Sequence, residues 1–371
     1  MSRMPKVDEW RESSLPFPFS TQMHPDLFVT LIFSAAKIQL FANALVPIDN
    51  HWSSQAQYFS HRDPLHMMTA RKSVESENDD ERPIRRYDSP FFPDESEQPT
   101  IPTALIILNT PISKSANGDL SSALNVLWRK SSFRVCADGG ANRLFDVSAG
   151  NASDETIFDT NYLPDLITGD LDSLFPNVRE YYEKRGVPII KVEDQDYHDL
   201  DKALMAVERW IENLDSTITQ STTTVKTKVL IYGGFGGRFD QEMGCMNALY
   251  VWGRKHMFRH TSIALYGEET CAFLLLAEPA TNEIRISFPD GHCVSKLNGS
   301  DEVVGEGPSC GLIPLGGRCD AVVTSGLKWN LNGEVPLEFG GLVSSSNRVM
   351  DAVVTVQTSS PMIFTTEMIK R

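Results

Sequence analysis

PDLITGDLDSL, residues 164–174, sets a short apolar run, Leu166-Ile167-Thr168, directly before Gly169, Asp170, Leu171 and Asp172. A run of that length, bounded by glycine and acidic residues, reads as a buried strand ending in a turn. The pattern repeats on both sides of it. ALIIL (104–108) closes on Asn109 and Pro111, FRVCA (133–137) on Asp138 and two glycines, PIIKV (188–192) on an acidic turn, and VLIY (229–232) on a glycine loop. Between the last two, residues 199–214 carry Leu200, Ala203, Leu204, Val207, Ile211 and Leu214 at helical spacing, and 241–252 is again helix-like. Strands alternating with helices imply a mostly parallel sheet covered by helices.

In such a sheet the ligand crevice lies outside the carboxyl ends of the strands. Four strands deliver acids to that edge: Asp138, then Asp170 and Asp172, then Asp194, Asp196 and Asp199, then Asp240. Asp170 and Asp172 are two residues apart, so on extended backbone they point the same way. Paired carboxylates suit Mg²⁺, which takes one or two of them together with substrate phosphates. Aspartate is also a common cap and turn residue, but coincidence on four strands favours a site. YGGFGGRFDQ (232–241) fits either a tight strand-to-helix turn or an anion cradle in which Arg238 forks onto phosphate. Lys202, three residues after Asp199, either binds phosphate or neutralises Asp199.

From about residue 262 the chain consists of β-rich pieces between glycine turns, IRISF (284–288), AVVT (321–324), LEF (337–339) and VVTVQ (353–357), with no long helix before the last residues. This predicts a C-terminal antiparallel, β-sandwich-like domain over 262–371, after an α/β domain over 99–261 whose acidic edge suits Mg²⁺ and phosphate. Residues 1–98 read as a largely irregular extension in which 71–100, rich in charge, serine and proline, forms a solvated linker. Within it the apolar stretch 27–46 is interrupted by Lys37 and Gln39 and reads as a peripheral helix rather than a membrane span. Segments 148–160 and 216–227 read as polar surface loops.

A formal charge of −15 over 371 residues argues against nucleic acid as a partner and calls for metal wherever phosphates are handled. The six cysteines form no C-x-x-C pair, which speaks for reduced thiols in a cytoplasmic protein rather than a zinc site or disulfide framework. Asp8, Glu9 and Glu12, with no early apolar run, fit neither a secretory signal nor a transit peptide. Trp329, in the polar stretch KWNLN, either packs or offers its face to a cationic ring.

Seven motifs in order, CADGGANRLFD (136–146), PDLITGDLDSL (164–174), DQDYHDLDKAL (194–204), GGFGGRFDQ (233–241), CGLIPLG (310–316), TSGLKWNL (324–331) and FGGLVSSSN (339–347), resemble the signatures of eukaryotic thiamine pyrophosphokinases. The resemblance covers about 104–370 and leaves the first hundred residues aside. It implies a homodimer whose active site lies between the α/β domain of one subunit and the β domain of the other. It further implies that Asp170, Asp172 and Asp199 hold Mg²⁺ and the triphosphate of ATP. Asp138, Gln195, Lys202, Arg238 and Asp240 would line the same cleft, Trp329 would stack on thiamine, and Ser345 and Asn347 would lie near it. The implied reaction is attack of the thiamine hydroxyl on the β-phosphorus of ATP with AMP leaving, Asp199 or Asp240 accepting the proton. A catalytically silent binder of thiamine or its diphosphate, and another Mg²⁺-dependent diphosphate-transferring enzyme, are the competing expectations. The extension and the two polar loops depart from the family pattern without removing a motif acid.

Overall fold

The computed structural model describes residues 84–92, 101–114, 120–148, 162–215, 227–255, 261–287, 295–296 and 303–370. The stretch 27–46 and the loop residues 149–161 and 216–226 lie outside the described residues. Among the described residues fifteen strands and five helices follow in chain order: β1 Ile84–Asp88, β2 Thr103–Ile107, α1 Ser122–Lys130, β3 Phe133–Ala137, α2 Gly140–Ser148, β4 Leu166–Gly169, α3 Pro176–Glu183, β5 Ile189–Lys191, α4 Asp199–Asp215, β6 Thr227–Tyr232, α5 Phe239–Trp252, β7 Thr261–Tyr266, β8 Thr270–Leu275, β9 Thr281–Arg285, β10 Ser295–Lys296, β11 Val303–Ile313, β12 Val322–Ser325, β13 Ser344–Arg348, β14 Val354–Thr358 and β15 Met362–Lys370.

Six strands pair in parallel in the order β7-β6-β2-β3-β4-β5. The apolar run of β2 explains its central place, since Ala104 to Ile107 are wholly buried, as a strand covered on both faces requires. Each such Ile or Leu contributes about 2 kcal/mol by leaving water. Helix α4 buries Leu200, Ala203, Leu204, Val207 and Ile211 across β2, β3 and β4, the face its spacing predicts. The chain leaves β2 in one direction through β3, β4 and β5, then returns to its other side with β6 and β7. The order therefore reverses between β2 and β6, and a crevice opens at their carboxyl ends.

Beyond β7 the same sheet continues antiparallel through β8, β15, β11 and β10, with β13 on β11. A second sheet of four strands, β1-β9-β14-β12, is antiparallel except at its β1–β9 edge. A mostly parallel sheet with a separate antiparallel-rich one bears out the expected fold class. The main sheet, however, runs on past residue 262, because β7 (TSIALY) is buried enough to pair with β6 along its length. The expected strand at 337–339 is reduced to isolated bridges from Leu337 to Cys319 and Leu342, as the chain turns at Gly340 with φ +88°. The last residues are strand, not helix.

The linker expected over 71–100 is also corrected, for Ile84–Asp88 is a strand parallel to β9 and Phe91 is fully buried. Tyr87 stacks on Phe273 with ring centroids 3.7 Å apart. The charges that made this window read as solvated sit on the strand's outer side, where Arg86 pairs with Glu283 at 2.9 Å and Arg285 with Asp88 at 3.4 Å. Among the described residues no helix is long and apolar enough to cross a membrane.

Candidate active site

Asp138 follows β3 at once, Asp170 follows β4, and Asp199 opens α4, so three connections deliver carboxylates to one point. Oxygens of Asp138, Asp170 and Asp199 lie within 4.8 Å of one another. The backbone is bent to allow it. Asp138 and Leu171 have φ of +42° and +63°, conformations that L-residues adopt only under constraint. At Gly169, φ +156°, a Cβ would lie 2.7 Å from Asp138 Cβ and 3.1 Å from Asp199 Oδ1, so only glycine lets the three acids meet.

Lys202, with 1% of its side chain exposed, sits 3.4 Å from both Asp170 Oδ2 and Asp199 Oδ1. Burial, together with the neighbouring Asp199, pushes the Asp138 carboxyl up to about 6. Burial and Asp170 likewise raise Asp199 against the pull of Lys202. For Asp170 the desolvation is outweighed by the Asp172 backbone N–H and Lys202, and its carboxyl ends below the ordinary value. Asp138 Oδ2 accepts from Ser173 N at 3.1 Å, while its Oδ1 is buried with no hydrogen-bond partner. An orphaned carboxylate oxygen beside two more carboxylates is a position that a hard cation fills.

Asp172, expected in the metal set, is exposed and lies outside this cluster; its Oδ1 accepts from Ser173 Oγ at 2.9 Å. Spacing along an extended strand predicted a shared direction for Asp170 and Asp172, but the positive φ of Leu171 between them breaks it. Asp138 takes the place instead. Asn142, on α2, was not singled out by the sequence, yet it clamps this loop by donating to Ser173 O at 2.7 Å and accepting from Phe175 N at 3.0 Å. Asp194 and Gln195 stay in the exposed turn before α4, where Asp194 accepts from Asp196 N at 2.9 Å.

Beside the acids lies a cleft of about 380 Å³, lined among others by Asn109 and Thr110 after β2, His198, Asp199 and Asp201 at the start of α4, and Gly233, Arg238, Asp240 and Glu242 after β6. It occupies the carboxyl ends of β2 and β6, where the strand order reverses. Its glycine loop is internally satisfied. Gly236 and Gly237 donate to Glu242 Oε1 at 2.9 and 3.2 Å, and Arg238 holds Asp240 at 2.5 Å. Both carboxylates thus occupy the donors of this loop.

Trp329 is 56% exposed, with the Lys328 ammonium 4.4 Å from its ring centroid. Its backbone is held by Asn347, a buried residue of β13, and Ser345 is exposed two residues earlier on that strand. Trp329, Ser345 and Asn347 do not line the described cleft, whose residues all fall between Leu108 and Ala248.

Residues 124–261 match a family described as the catalytic domain of thiamin pyrophosphokinase, and residues 296–363 its vitamin B1 binding domain. Thiamine pyrophosphokinase 3 of Oryza sativa subsp. japonica is 37% identical over 271 residues, which span 71% of this chain and 85% of that protein. Thiamine pyrophosphokinase 2 of Arabidopsis thaliana is 34% identical over the same share of both chains. The crystal structure of yeast thiamin pyrophosphokinase covers 80% of this chain and 95% of its own at 25% identity, with a TM-score of 0.57.

Proposed function

The chain belongs to the thiamin pyrophosphokinase family, and we propose from this that it transfers the diphosphoryl group of ATP to the hydroxyl of thiamine, releasing AMP. The observation that carries the reading is the meeting of Asp138, Asp170 and Asp199 beside a cleft at the strand-order reversal. Three ionised acids against the single ammonium of Lys202 leave two negative charges, the complement of one divalent cation. All-oxygen donors suit Mg²⁺, which Asp138, Asp170 and Asp199 would hold, with Asp172 beside them. When bound, it supplies charge neutralisation to the phosphates and to the oxygen of the departing AMP.

The chain's own residues orient the reactants. Lys202 fixes Asp170 and Asp199 relative to each other. Arg238 and the N–H groups of Gly236 and Gly237 receive phosphate oxygens once Asp240 and Glu242 give way, and Gln195 borders the same polyanion. Trp329 offers an aromatic face to the cationic thiazolium ring, with Ser345 at its edge. Because Trp329 does not line the cleft formed by 108–248, the site is read as shared in a homodimer, acids from one subunit and Trp329 from its partner. Five described cysteines, all unpaired and buried, accord with a cytoplasmic setting.

Purified protein given ATP, Mg²⁺ and thiamine should form thiamine diphosphate and AMP in equal amounts. Asp170→Asn should lower turnover at least about 100-fold through lost charge stabilisation, without unfolding the protein; near-normal turnover would refute the metal role. For the shared site, mixing Asp170→Asn and Trp329→Ala subunits, assayed at thiamine far below the raised KM of the Trp329→Ala protein, should recover up to about a quarter of wild-type activity, one intact site per mixed dimer. Failure of subunits shown to exchange would put the whole site within one chain.

A further inference from the structure

Asn347 was expected to touch thiamine, and its surroundings leave it no means to do so. A neutral carboxamide has two N–H donors and two acceptor positions. Here Oδ1 accepts from Trp329 N at 3.2 Å and Arg348 N at 2.8 Å, and Nδ2 donates to Trp329 O at 2.9 Å and Ser344 Oγ at 3.4 Å. Every hydrogen-bonding position is filled, and the residue is only 3% exposed. The same side chain thus holds both the N–H and the C=O of Trp329, as a neighbouring strand would, although Trp329 belongs to no strand. Lys328 N, bonded to Arg348 O at 2.8 Å, adds the adjoining rung, and Asn330 Oδ1 closes the turn by accepting from Leu327 N at 3.1 Å.

We propose that Asn347 is a positioning residue for the thiamine-binding step: it docks the backbone of Trp329 onto β13 and so holds the indole in its exposed pose, without contacting the vitamin. The inference rests on the proposed role of Trp329 as the ring that receives thiamine. Removing the carboxamide frees the backbone of an exposed residue, so the indole samples several orientations and thiamine must select one of them. The loss therefore falls on thiamine and leaves ATP, held by the acids and the glycine loop, untouched.

A double-mutant cycle on the full-length protein separates positioning from contact. Asn347→Ala should raise the thiamine KM roughly tenfold while the ATP KM stays within about twofold. Trp329→Ala should raise the thiamine KM at least as far, and the double variant should match Trp329→Ala alone, because Asn347 has nothing left to position. Asn347→Asp keeps the acceptors for Trp329 N and Arg348 N but loses the donors to Trp329 O and Ser344 Oγ. It should be intermediate, and it carries the test if the alanine variant fails to fold. Fold-changes that multiply in the double variant, or a thiamine KM unmoved by both substitutions at Asn347, would overturn the proposal. A wild-type protein forming no AMP with thiamine would instead sink the proposed function, so the two failures are distinguishable.

Discussion

Replacing Glu306 with glutamine isolates one buried charge and its hydrogen bond to Tyr87 of β1. Glu306 lies on β11, fully buried; its Oε1 accepts from the Tyr87 hydroxyl at 2.6 Å, and its Oε2 has no hydrogen-bond partner. The groups around it are the hydroxyls of Tyr87, Tyr266 and Ser89, the thiol of Cys271 and, further off, the ammonium of Lys228. Burial dominates, and the carboxyl rises from an ordinary 4.5 to about 7. Between those values the folded protein binds a proton that the unfolded chain has lost, so stability falls as pH rises through that window. A rise of that size, at 1.36 kcal/mol per unit, is worth about 3 kcal/mol above pH 8. Glutamine keeps the shape and an acceptor for Tyr87 but has no charge to desolvate. Urea unfolding of both proteins at pH 5 and pH 8.5 should show the wild type losing roughly 2.5 kcal/mol relative to Glu306→Gln over that interval. A wild-type-minus-variant difference that is the same at both pH values would refute the argument.

Three other perturbations address the site. Asp138→Asn should stabilise the metal-free protein at pH 8 by on the order of 1–2 kcal/mol after discounting for solvent screening, because the carboxyl that burial and Asp199 hold at about 6 no longer ionises, and asparagine tolerates the φ of +42°. The same variant should bind Mg²⁺ more weakly by calorimetric titration; unchanged affinity would remove Asp138 from the ligand set. Glu242→Ala should free the N–H groups of Gly236 and Gly237 and lower the ATP KM, and a raised ATP KM would show Glu242 to be a support rather than an occupant. Gly169→Ala should cost about 1–3 kcal/mol and abolish turnover, since its Cβ must push Asp138 away from Asp199; a fully active variant would mean the three acids need not meet.

What could be read from the chain follows from the range of the interactions. Apolar runs of three to five residues closing on glycine, asparagine or acidic residues gave five of the six parallel strands within a residue or two, because burial on both faces leaves a recognisable composition, while β7 was not singled out. β1 was missed because IRRYD is mostly charged, and only its partners Glu283 and Arg285 on β9, about 200 residues away, turn those charges into a strand's outer face. Lys202 was recognised as an i, i+3 neighbour of Asp199, a local relation, whereas its equal distance to Asp170 depends on β4 lying beside α4. The exchange of Asp172 for Asp138 in the cluster had no local signal, since it rests on one backbone torsion at Leu171. For Asn347 the sequence shows an amide in a motif after that of Trp329 but not that it bonds the Trp329 backbone and that all its hydrogen bonds are taken.

These departures share a physical cause. At Asp138, Gly169 and Leu171 the backbone adopts conformations that cost of order 1 kcal/mol or more each for residues with side chains, and the result is a half-buried arrangement of like charges that opposes folding further. Local packing offsets this only in part: Lys202 balances one of three acids and the N–H groups of Ser173 and Asp172 bind Asp138 and Asp170, but Asp138 Oδ1 remains without a partner. Such a site is maintained by the rigid sheet on which it stands, with β2, β3 and β4 almost wholly buried beneath α4. On the proposed reading a divalent cation would offset the rest, which would link metal binding to fold stability. On that reading the geometry that raises the Asp138 and Asp199 carboxyls is the one that would receive a divalent cation carrying a polyphosphate.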